Sequence, residues 1–281
     1  LEEVVESEDR TPIYRKRDNY RNPLETLSFF KISNDMTVIE LQPSGGNSPG
    51  GWYTEILAPF LKNQGTLIAA HFNPKESEWR KKMRTIFEKR ISEEKNFSKI
   101  KLSVLSMPPQ MLTENSSADM VLTFRNLHNW LKSGYLEQVF QVSFDALKPG
   151  GIFGVVEHRA PQNFTVKQMV KSGYVTEDLA IYYAEKVGFR LQAKSEINAN
   201  KKVYVAMSAD ILHIGHLNII KTARKYGKVI IGLFTDSAIS EYKRLPLINY
   251  KQRLEIMKNI NPEKKLQEKY LVVSTWSYRQ A

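Results

Sequence analysis

Short apolar stretches alternate with amphipathic ones along the first 200 residues. The apolar stretches predict buried strands at 37–41, 65–70, 100–105, 118–124, 152–156 and 189–197. Helical spacing of apolar residues predicts helices at 22–30, 52–61, 76–95, 134–147 and 179–187. Residues 148–151, Lys-Pro-Gly-Gly, predict a turn. Strands alternating with helices favour an α/β fold with a doubly wound, mainly parallel, Rossmann-like sheet.

The same alternation starts again after residue 200. It predicts strands at 203–207, 228–234 and 270–274, and helices at 213–226 and 251–260. About 80 residues are few for a doubly wound domain. We therefore predict two domains, 1–200 and 201–281, of which the second is a partial Rossmann-like unit.

Charge is distributed unevenly between these two parts. The chain carries a net charge of +11, and residues 201–281 hold 15 Lys and Arg against 6 Asp and Glu. A basic segment can bind phosphate-rich partners, but it can equally be a solvated lysine-rich face. The chain has no cysteine, which excludes a disulfide scaffold, a thiolate metal site and a cysteine nucleophile.

No apolar stretch approaches the roughly 18 residues that a membrane span needs, and no basic-then-apolar leader is present. We expect a cytoplasmic protein with a small-molecule substrate rather than a nucleic acid or membrane partner, and we leave a homo-oligomer open. The chain opens at Leu1 rather than Met, so removal of a targeting segment stays open too.

The loop 42–51 follows the first strand and contains four glycines and two prolines. Glycines let the backbone approach a ligand closely, and the helix that follows directs unpaired N–H groups toward it. Glu40, at the end of the strand, disfavours a phosphate and suits hydroxyls or a cationic group. This combination predicts an adenosyl ligand without a pyrophosphate, although a glycine-rich loop can also be a plain turn.

Several segments occur in an order typical of one family. They are Val38-Ile-Glu-Leu41, Pro49-Gly-Gly-Trp52, Phe124-Arg-Asn-Leu-His-Asn-Trp130, Leu147-Lys-Pro-Gly-Gly151 and Val155-Val-Glu-His-Arg159. Over about residues 8–200 the chain resembles predicted class I S-adenosylmethionine-dependent methyltransferases. The resemblance implies S-adenosylmethionine as cofactor. It also implies an antiparallel last strand that is absent before residue 200, so we expect 203–207 either to fill that edge or to start a small sheet of its own.

The family pattern assigns the cofactor site by position. The residues that would hold the methionine part are Glu40, Gly45, Gly46, Gly50, Gly51 and Trp52. The ribose would lie near His71 and Asn73, and the adenine would be flanked by Ser106 and Met107. The reactive methyl would point toward Asn126. This chain lacks the acidic residue that many class I enzymes place at the ribose. Its glycine loop is also about five residues longer than the family pattern, and we favour the second glycine pair because Trp52 follows it directly.

A methyltransferase needs mainly alignment, with a general base where the acceptor atom is protonated. His128 is the first candidate for this base, followed by Glu157 and His158. A histidine at a strand end can also be a hydrogen-bonded wall residue. The spacing of these three residues matches no known metal site, so we predict no metal.

Residues 208–216 predict a second site, because His213-Ile-Gly-His216 follows a strand and opens a helix. Histidine donors at a helix N-terminus can stabilise a triphosphate. Residues 203–275 resemble the start of a cytidylyltransferase of the type fused to phosphoenolpyruvate mutase. The resemblance implies CTP with Mg²⁺, bound by Asp210, His213, Gly215, His216 and Lys243.

We therefore expect a methyltransferase with an unidentified acceptor. The alternatives are a CTP-dependent nucleotidyltransferase acting through His213 and His216, and a non-catalytic binding protein. The later nucleotide motif of the cytidylyltransferase family would fall after residue 281. Either a fusion cut short or a chimeric reading frame would explain two partial enzymes in one chain.

Overall fold

The computed structural model describes residues 1–43, 50–198, 202–224, 228–241 and 243–260. The chain divides into two compact units, Leu1–Ala193 and Lys194–Ala281. Each unit has its own sheet.

The first unit is built on five parallel strands. They are β1 Thr37–Leu41, β2 Thr66–Phe72, β3 Lys101–Leu105, β4 Ala118–Phe124 and β5 Leu147–Val156. Their order in the sheet is β3-β2-β1-β4-β5. The chain therefore winds outward from β1 to β3 and then returns to the other side of β1, which leaves a topological switch point between β1 and β4. The predicted doubly wound α/β class is confirmed.

Helices precede the sheet and connect its strands. They are α1 Glu2–Glu6, α2 Pro12–Arg15, α3 Asp18–Arg21, α4 Pro23–Phe29, α5 Thr54–Leu61, α6 Glu78–Glu93, α7 Leu127–Ser133, α8 Leu136–Ala146, α9 Val166–Ser172 and α10 Glu177–Lys186, with a short 3₁₀ turn at Lys95–Phe97. The apolar pattern did not predict α1, α2, α3, α7 or α9, each of which has seven residues or fewer.

Two cores cover the two faces of this sheet. Along β1, Val38 packs with α1, α4 and α5 on one face, whereas Ile39 and Leu41 pack with α7 and α8 on the other. Side chains alternate along a strand, so Glu40 shares the face of Val38 and points toward α5. This alternation decides which helix meets the predicted acidic residue.

The predicted strand at 189–197 is wrong, because the structure has no strand between residues 189 and 198. A strand needs a neighbour for its backbone hydrogen bonds. The sheet ends at β5, and Phe189 contributes its ring to Phe153 and Phe144 rather than its backbone to a ladder. Of the apolar residues in this segment, Phe189 packs against the core whereas Leu191 is exposed, so the apolar spacing here reflects neither strand pairing nor burial of one face.

The predicted turn at 148–151 proves to be a bulge within β5. Leu147 pairs with Ala118 and Ile152 pairs with Met120, so the residues between them loop out of register. Gly150 adopts φ +81°, a backbone angle that favours glycine. The bulge lies at the start of the strand, away from the edge of the sheet where the predicted site residues lie.

The second unit contains a smaller parallel sheet. Its elements are β6 Lys202–Met207, α11 Ile214–Arg224, β7 Lys228–Leu233, α12 Asp236–Ser240 and α13 Tyr250–Ile260. Strand β6 pairs only with β7 among the described strands, so of the two alternatives for 203–207 the structure shows the small separate sheet rather than the edge of the first one. The strand predicted at 270–274 lies outside the described residues. A compact apolar cluster of Met207, Ile220, Leu233 and Met257 supports the pair.

Candidate active site

The carboxylate of Glu40 lies buried at the end of β1. Its side chain is 3% exposed, and Thr54 at the start of α5 donates a hydrogen bond from Oγ1 to Oε2 at 2.6 Å. Burial raises the pKa of Glu40 to about 7, and the bond from Thr54 opposes this rise. The site therefore favours a positively charged ligand group, which would restore the ionised form.

Gly50 and Gly51 form a left-handed turn just before α5, with φ of +82° and +71°. The Gly51 N–H donates to the carbonyl of Pro43 at 2.8 Å, and Tyr14 donates from its hydroxyl to the carbonyl of Gly50 at 3.1 Å. A Cβ on Gly51 would lie 3.0 Å from Phe87 and from Thr54 Oγ1. The turn thus requires glycine. Gly45 and Gly46 lie outside the described residues.

Arg90 of α6 also binds the Gly50–Gly51 turn. Its guanidinium donates to the carbonyl of Gly50 and pairs with Glu55 at 2.6 Å, and both side chains are buried. Such a buried pair fixes a loop when its hydrogen bonds are complete. Sequence reasoning missed this pair, because Arg90 and Glu55 lie 35 positions apart on helices whose packing the pattern does not reveal.

The ring of Trp52 is buried and does not present an accessible surface to a ligand. Its indole is 7% exposed and donates from Nε1 to the carbonyl of Tyr14 at 3.0 Å. The guanidinium of Arg21 lies 4.6 Å from the centroid of its ring. The side chain of Trp52 is therefore committed to the core and to Arg21, and only its backbone borders the glycine turn.

At the end of β2, His71 is 1% exposed and stacks on Phe87 at 4.8 Å between ring centroids. Burial, together with the nearby Arg84, lowers the pKa of His71 to about 3, so the ring is neutral. Its Nδ1 has no hydrogen-bond partner within the described ranges. Asn73 lies just beyond and accepts a bond from the Lys75 N–H at 3.0 Å, which closes a local turn.

Ser106 and Met107 follow β3 and border the same edge of the sheet. The Ser106 hydroxyl donates to the carbonyl of Pro108 at 3.0 Å. The Met107 N–H donates to Glu76 Oε1 at 2.7 Å, and the other oxygen of Glu76 pairs with Arg80. Glu76 thus ties the ends of β2 and β3 together. It is an acidic residue at this edge that the sequence did not single out.

Asn126 bridges the switch point. Its amide nitrogen donates to the carbonyl of Leu41 at 3.1 Å and to Thr123 Oγ1 at 3.3 Å, so it connects the ends of β1 and β4. Trp130 makes a second connection by donating from Nε1 to Gln42 Oε1 at 2.9 Å. These bonds hold the crevice between β1 and β4, where ligands of open α/β sheets bind.

The three predicted catalytic residues lie together beyond β4 and β5. His128 Nδ1 is 3.0 Å from Glu157 Oε2, and the His158 N–H donates to Glu157 Oε1 at 2.8 Å. Burial, followed by the charge of Arg125, lowers the pKa of His158. Because a carboxylate can only accept, it favours the tautomer with a proton on Nδ1 of His128 and leaves Nε2 able to take a proton.

The second predicted site lies where β6 leads into α11. The rings of His213 and His216 are 4.2 Å apart. Backbone N–H groups of Gly215 and His213 donate to Nδ1 of His213 and of His216, at 3.0 and 3.4 Å. Since Nδ1 accepts in both neutral rings, each Nε2 carries the proton and can donate to an anion. Burial, followed by the electrostatic effect of the neighbouring His213, lowers the pKa of His216.

Asp210 and Lys243 each form a hydrogen bond with the backbone elsewhere in the second unit. Asp210 Oδ1 accepts from the Ile248 N–H at 3.0 Å, and the Lys243 N–H donates to the carbonyl of Ile239 at 2.9 Å. The fully buried Arg253 pairs with Asp236 at 2.6 Å and also donates to the carbonyl of Ser208.

Among the described residues, no group of three or more His, Asp or Glu side chains is placed to hold a metal ion. In the same part of the chain, the helices are all too short or too polar to cross a membrane.

Comparison with known proteins gives different results for the two units. A family model for cytidylyltransferase-like proteins matches residues 207–280, which confirms the second resemblance. A curated relative, FAD synthase from Methanohalophilus mahii, is 45% identical over 49 residues, which are 17% of this chain and 34% of that protein. The chain therefore spans about a third of this relative's length.

The solved structures similar to this chain include methyltransferases. An arsenic(III) S-adenosylmethionine methyltransferase from Chlamydomonas reinhardtii is 16% identical with a TM-score of 0.38, and the match covers 60% of this chain and 61% of that one. Phosphoethanolamine N-methyltransferase 2 from Haemonchus contortus is 17% identical with a TM-score of 0.42, over 60% and 37% of the two chains.

Proposed function

We propose that the unit Leu1–Ala193 binds S-adenosylmethionine and transfers its methyl group to a small-molecule acceptor. The observation that carries this proposal is the buried carboxylate of Glu40 beside the left-handed Gly50–Gly51 turn at the switch point. A phosphate would be repelled by this carboxylate. A nucleoside that carries an ammonium and a sulfonium would be attracted by it.

The neighbouring strand ends suit the rest of such a ligand. In this proposal the neutral ring of His71, whose Nδ1 lacks a partner in the described part of the chain, takes a ribose hydroxyl in place of the usual acid. Ser106 and Met107 border the adenine, and Asn126 keeps the methyl donor at the crevice. These roles follow the family pattern at matching positions.

His128 serves as the general base in this proposal. Glu157 orients its ring through the contact of 3.0 Å with Nδ1, so Nε2 can accept the proton of the acceptor atom. The lone pair of the acceptor then forms the bond to the methyl carbon, and the carbon–sulfur bond breaks with its electron pair going to sulfur. Positioning of the acceptor in line with the methyl supplies most of the rate.

The test is transfer of a labelled methyl group from S-adenosylmethionine by the full chain to a panel of amine, hydroxyl and thiol acceptors. With an acceptor found, His128→Asn should lower kcat by about 10²- to 10⁴-fold, with the affinity for S-adenosylhomocysteine unchanged. Lys132→Gln, an exposed change on the same helix, is the matched control. Unaltered kcat in His128→Asn would remove the proposed base, and failure to bind either compound would remove the proposed function.

A second function is favoured by the family match at 207–280 and by the FAD synthase relatives. We propose that the second unit belongs to a nucleotidyltransferase in which Nε2 of His213 and of His216 donate to the phosphates of a nucleoside triphosphate. CTP with Mg²⁺ is expected from the family, and the name of the relatives adds ATP as a second candidate.

Exchange of labelled pyrophosphate into ATP and into CTP tests this second function. His216→Asn should lower the exchange about 100-fold, whereas Lys221→Gln in the last turn of α11 should leave it unchanged. Binding of S-adenosylmethionine and of a nucleoside triphosphate, with neither methyl transfer nor pyrophosphate exchange, would instead favour a non-catalytic binding protein.

A further inference from the structure

Three arginines interact electrostatically at the side of the sheet that carries the proposed base. Arg17 directly precedes α3, Arg21 is its last residue, and Arg125 follows β4. Burial, then the charge of Arg17 and that of Arg125, lower the pKa of Arg21 to about 10. Arg125 and Arg21 also lower the pKa of His158, after the effect of its burial. The four cationic or potentially cationic groups therefore share one electrostatic environment.

The contacts of Tyr53 show how the chain brings two of them together. The Tyr53 hydroxyl donates to the carbonyl of Arg21 at 3.3 Å, and its ring stacks on Phe124 at 3.5 Å between centroids. Phe124 immediately precedes Arg125. Because Tyr53 contacts both Arg21 and Phe124, it holds the end of α3 close to the end of β4.

The guanidinium of Arg21 and the backbone of Arg125 are each held by specific contacts. The guanidinium of Arg21 lies 4.6 Å from the ring centroid of Trp52. The Arg125 N–H donates to the carbonyl of Val156 at 2.7 Å, and its φ of +64° is uncommon for a residue with a side chain. Such backbone strain is concentrated at functional sites.

The ion pairs of this part of the unit involve other arginines. Elsewhere in the unit Arg10 pairs with Asp18 and Arg90 with Glu55. By contrast, Arg17, Arg21 and Arg125 form no ion pair with an Asp or Glu among the residues that the structure describes. Glu157 is already engaged by His128 and by the His158 N–H. Arg17 and Arg125 are exposed and therefore screened by water, and a bound anion would add a direct counter-ion for the three cations.

We propose that the methyl acceptor is a small molecule with an oxyanion group, a carboxylate or a phosphate, which Arg21 and Arg125 bind while His128 faces the atom to be methylated. This inference rests on the proposed methyltransferase function and names its substrate class. Methylation then forms a bond from the acceptor nitrogen or oxygen to the methyl carbon and releases neutral S-adenosylhomocysteine. The acceptor proton passes to His128 Nε2, so charge balances.

The imidazole signals of the full chain in an NMR titration test the anion site. The chain has five histidines, which makes the signal of His158 assignable. Inorganic phosphate and acetate, added separately with and without S-adenosylhomocysteine, should raise the pKa of His158, because a bound anion offsets the nearby cations. Comparison of the two probes shows whether phosphate or carboxylate binds more tightly.

Arg125→Asn is the main variant, since asparagine tolerates the left-handed backbone. It should weaken phosphate binding about tenfold or more and should itself raise the pKa of His158. Arg125→Lys should retain most of the binding, and Arg190→Gln, an exposed arginine outside the cluster, should change neither quantity. Unchanged phosphate affinity in Arg125→Asn, or a His158 signal insensitive to both anions, would overturn the inference.

Matched acceptors extend the test to turnover. Each anionic compound in the panel is paired with its neutral amide or ester, and methyl transfer should be at least about tenfold faster to the anionic member. Equal transfer to both members overturns the anionic acceptor but leaves the methyltransferase proposal standing. Absence of S-adenosylmethionine binding overturns the proposed function, whereas the phosphate titration still reports on the arginine cluster.

Discussion

The junctions β1–α5 and β6–α11 share a strand–loop–helix design and differ in the charge that they present. At the first, the carboxylate of Glu40 is 3% exposed and lies beneath a glycine turn. At the second, His213 and His216 lie near the surface with both Nε2 atoms able to donate. The common backbone provides a cradle in each unit. In the proposed functions, the side chains at each junction decide whether a cation or an anion is favoured there.

The sharpest way to break this comparison is to remove the charge of Glu40. Glu40→Gln keeps the shape of the side chain and its bond with Thr54, but it cannot pair with an ammonium. We expect the affinity for S-adenosylhomocysteine to fall about 100-fold, with the affinities for ATP and CTP unchanged. Isothermal titration measures all three.

Glu137→Gln is the matched control, because Glu137 forms only a surface ion pair with Lys186 at 2.7 Å. Should Glu137→Gln reduce the affinity as much as Glu40→Gln, the effect would be one of general charge. Equal affinities of wild type and Glu40→Gln for S-adenosylhomocysteine would contradict the claim that the β1–α5 junction favours a cationic ligand.

The pH dependence of stability gives the next largest effect. The pKa of Glu40 rises from 4.5 to about 7 on folding. Between these values the folded state holds the proton more tightly, so this contribution to stability is fully present below pH 4.5 and is lost as pH rises to 7. Glu40→Gln should remove that loss and be about 3 kcal/mol more stable than wild type at pH 8.

Urea unfolding at pH 4 and pH 8 measures this difference, with near-UV signals from Trp52 and Trp130 reporting on the first unit. The two proteins should be nearly equal at pH 4. A wild type that is the more stable of the two at pH 8 would show that ionised Glu40 is compensated within the fold.

The smallest effects come from the glycines of the two junctions. Gly51→Ala places a Cβ 3.0 Å from Phe87 and Thr54 at φ +71°, so we expect a loss of about 1–2 kcal/mol in the free energy of unfolding. Gly215→Ala meets only the ring of His213, at 2.8 Å, and that ring can rotate away. It should cost less than about 1 kcal/mol but weaken nucleotide binding. Denaturant titrations of both variants would contradict this account if Gly215→Ala were the more destabilising.

Local patterns were sufficient for most of the first fold. Strand β1 and helix α5 were predictable because their apolar spacing is strong, and Glu40 stood out as a charge at the end of an apolar strand. The segment 189–197 has the same kind of pattern but no neighbouring strand to pair with. Pairing depends on the rest of the sheet, which a single stretch of sequence does not contain.

The site was predictable in its members but not in its connections. His128, Glu157 and His158 were identified from their positions after two strands, and the structure brings them together. The sequence did not reveal that Trp52 is buried in the core, that Asn126 bridges β1 and β4, or that Arg125 lies beside β5. Each of these depends on contacts between residues far apart in sequence. A left-handed φ at an arginine leaves no signal in the sequence.

Proton release on cofactor binding tests the central claim most directly. Calorimetric titration of the full chain with S-adenosylmethionine at pH 7, in two buffers of different ionisation enthalpy, counts the protons released. Because Glu40 has a pKa of about 7 and must ionise to pair with the ammonium, wild type should release about half a proton more than Glu40→Gln. No binding heat, or identical proton release in the two proteins, would contradict a cation site built on Glu40.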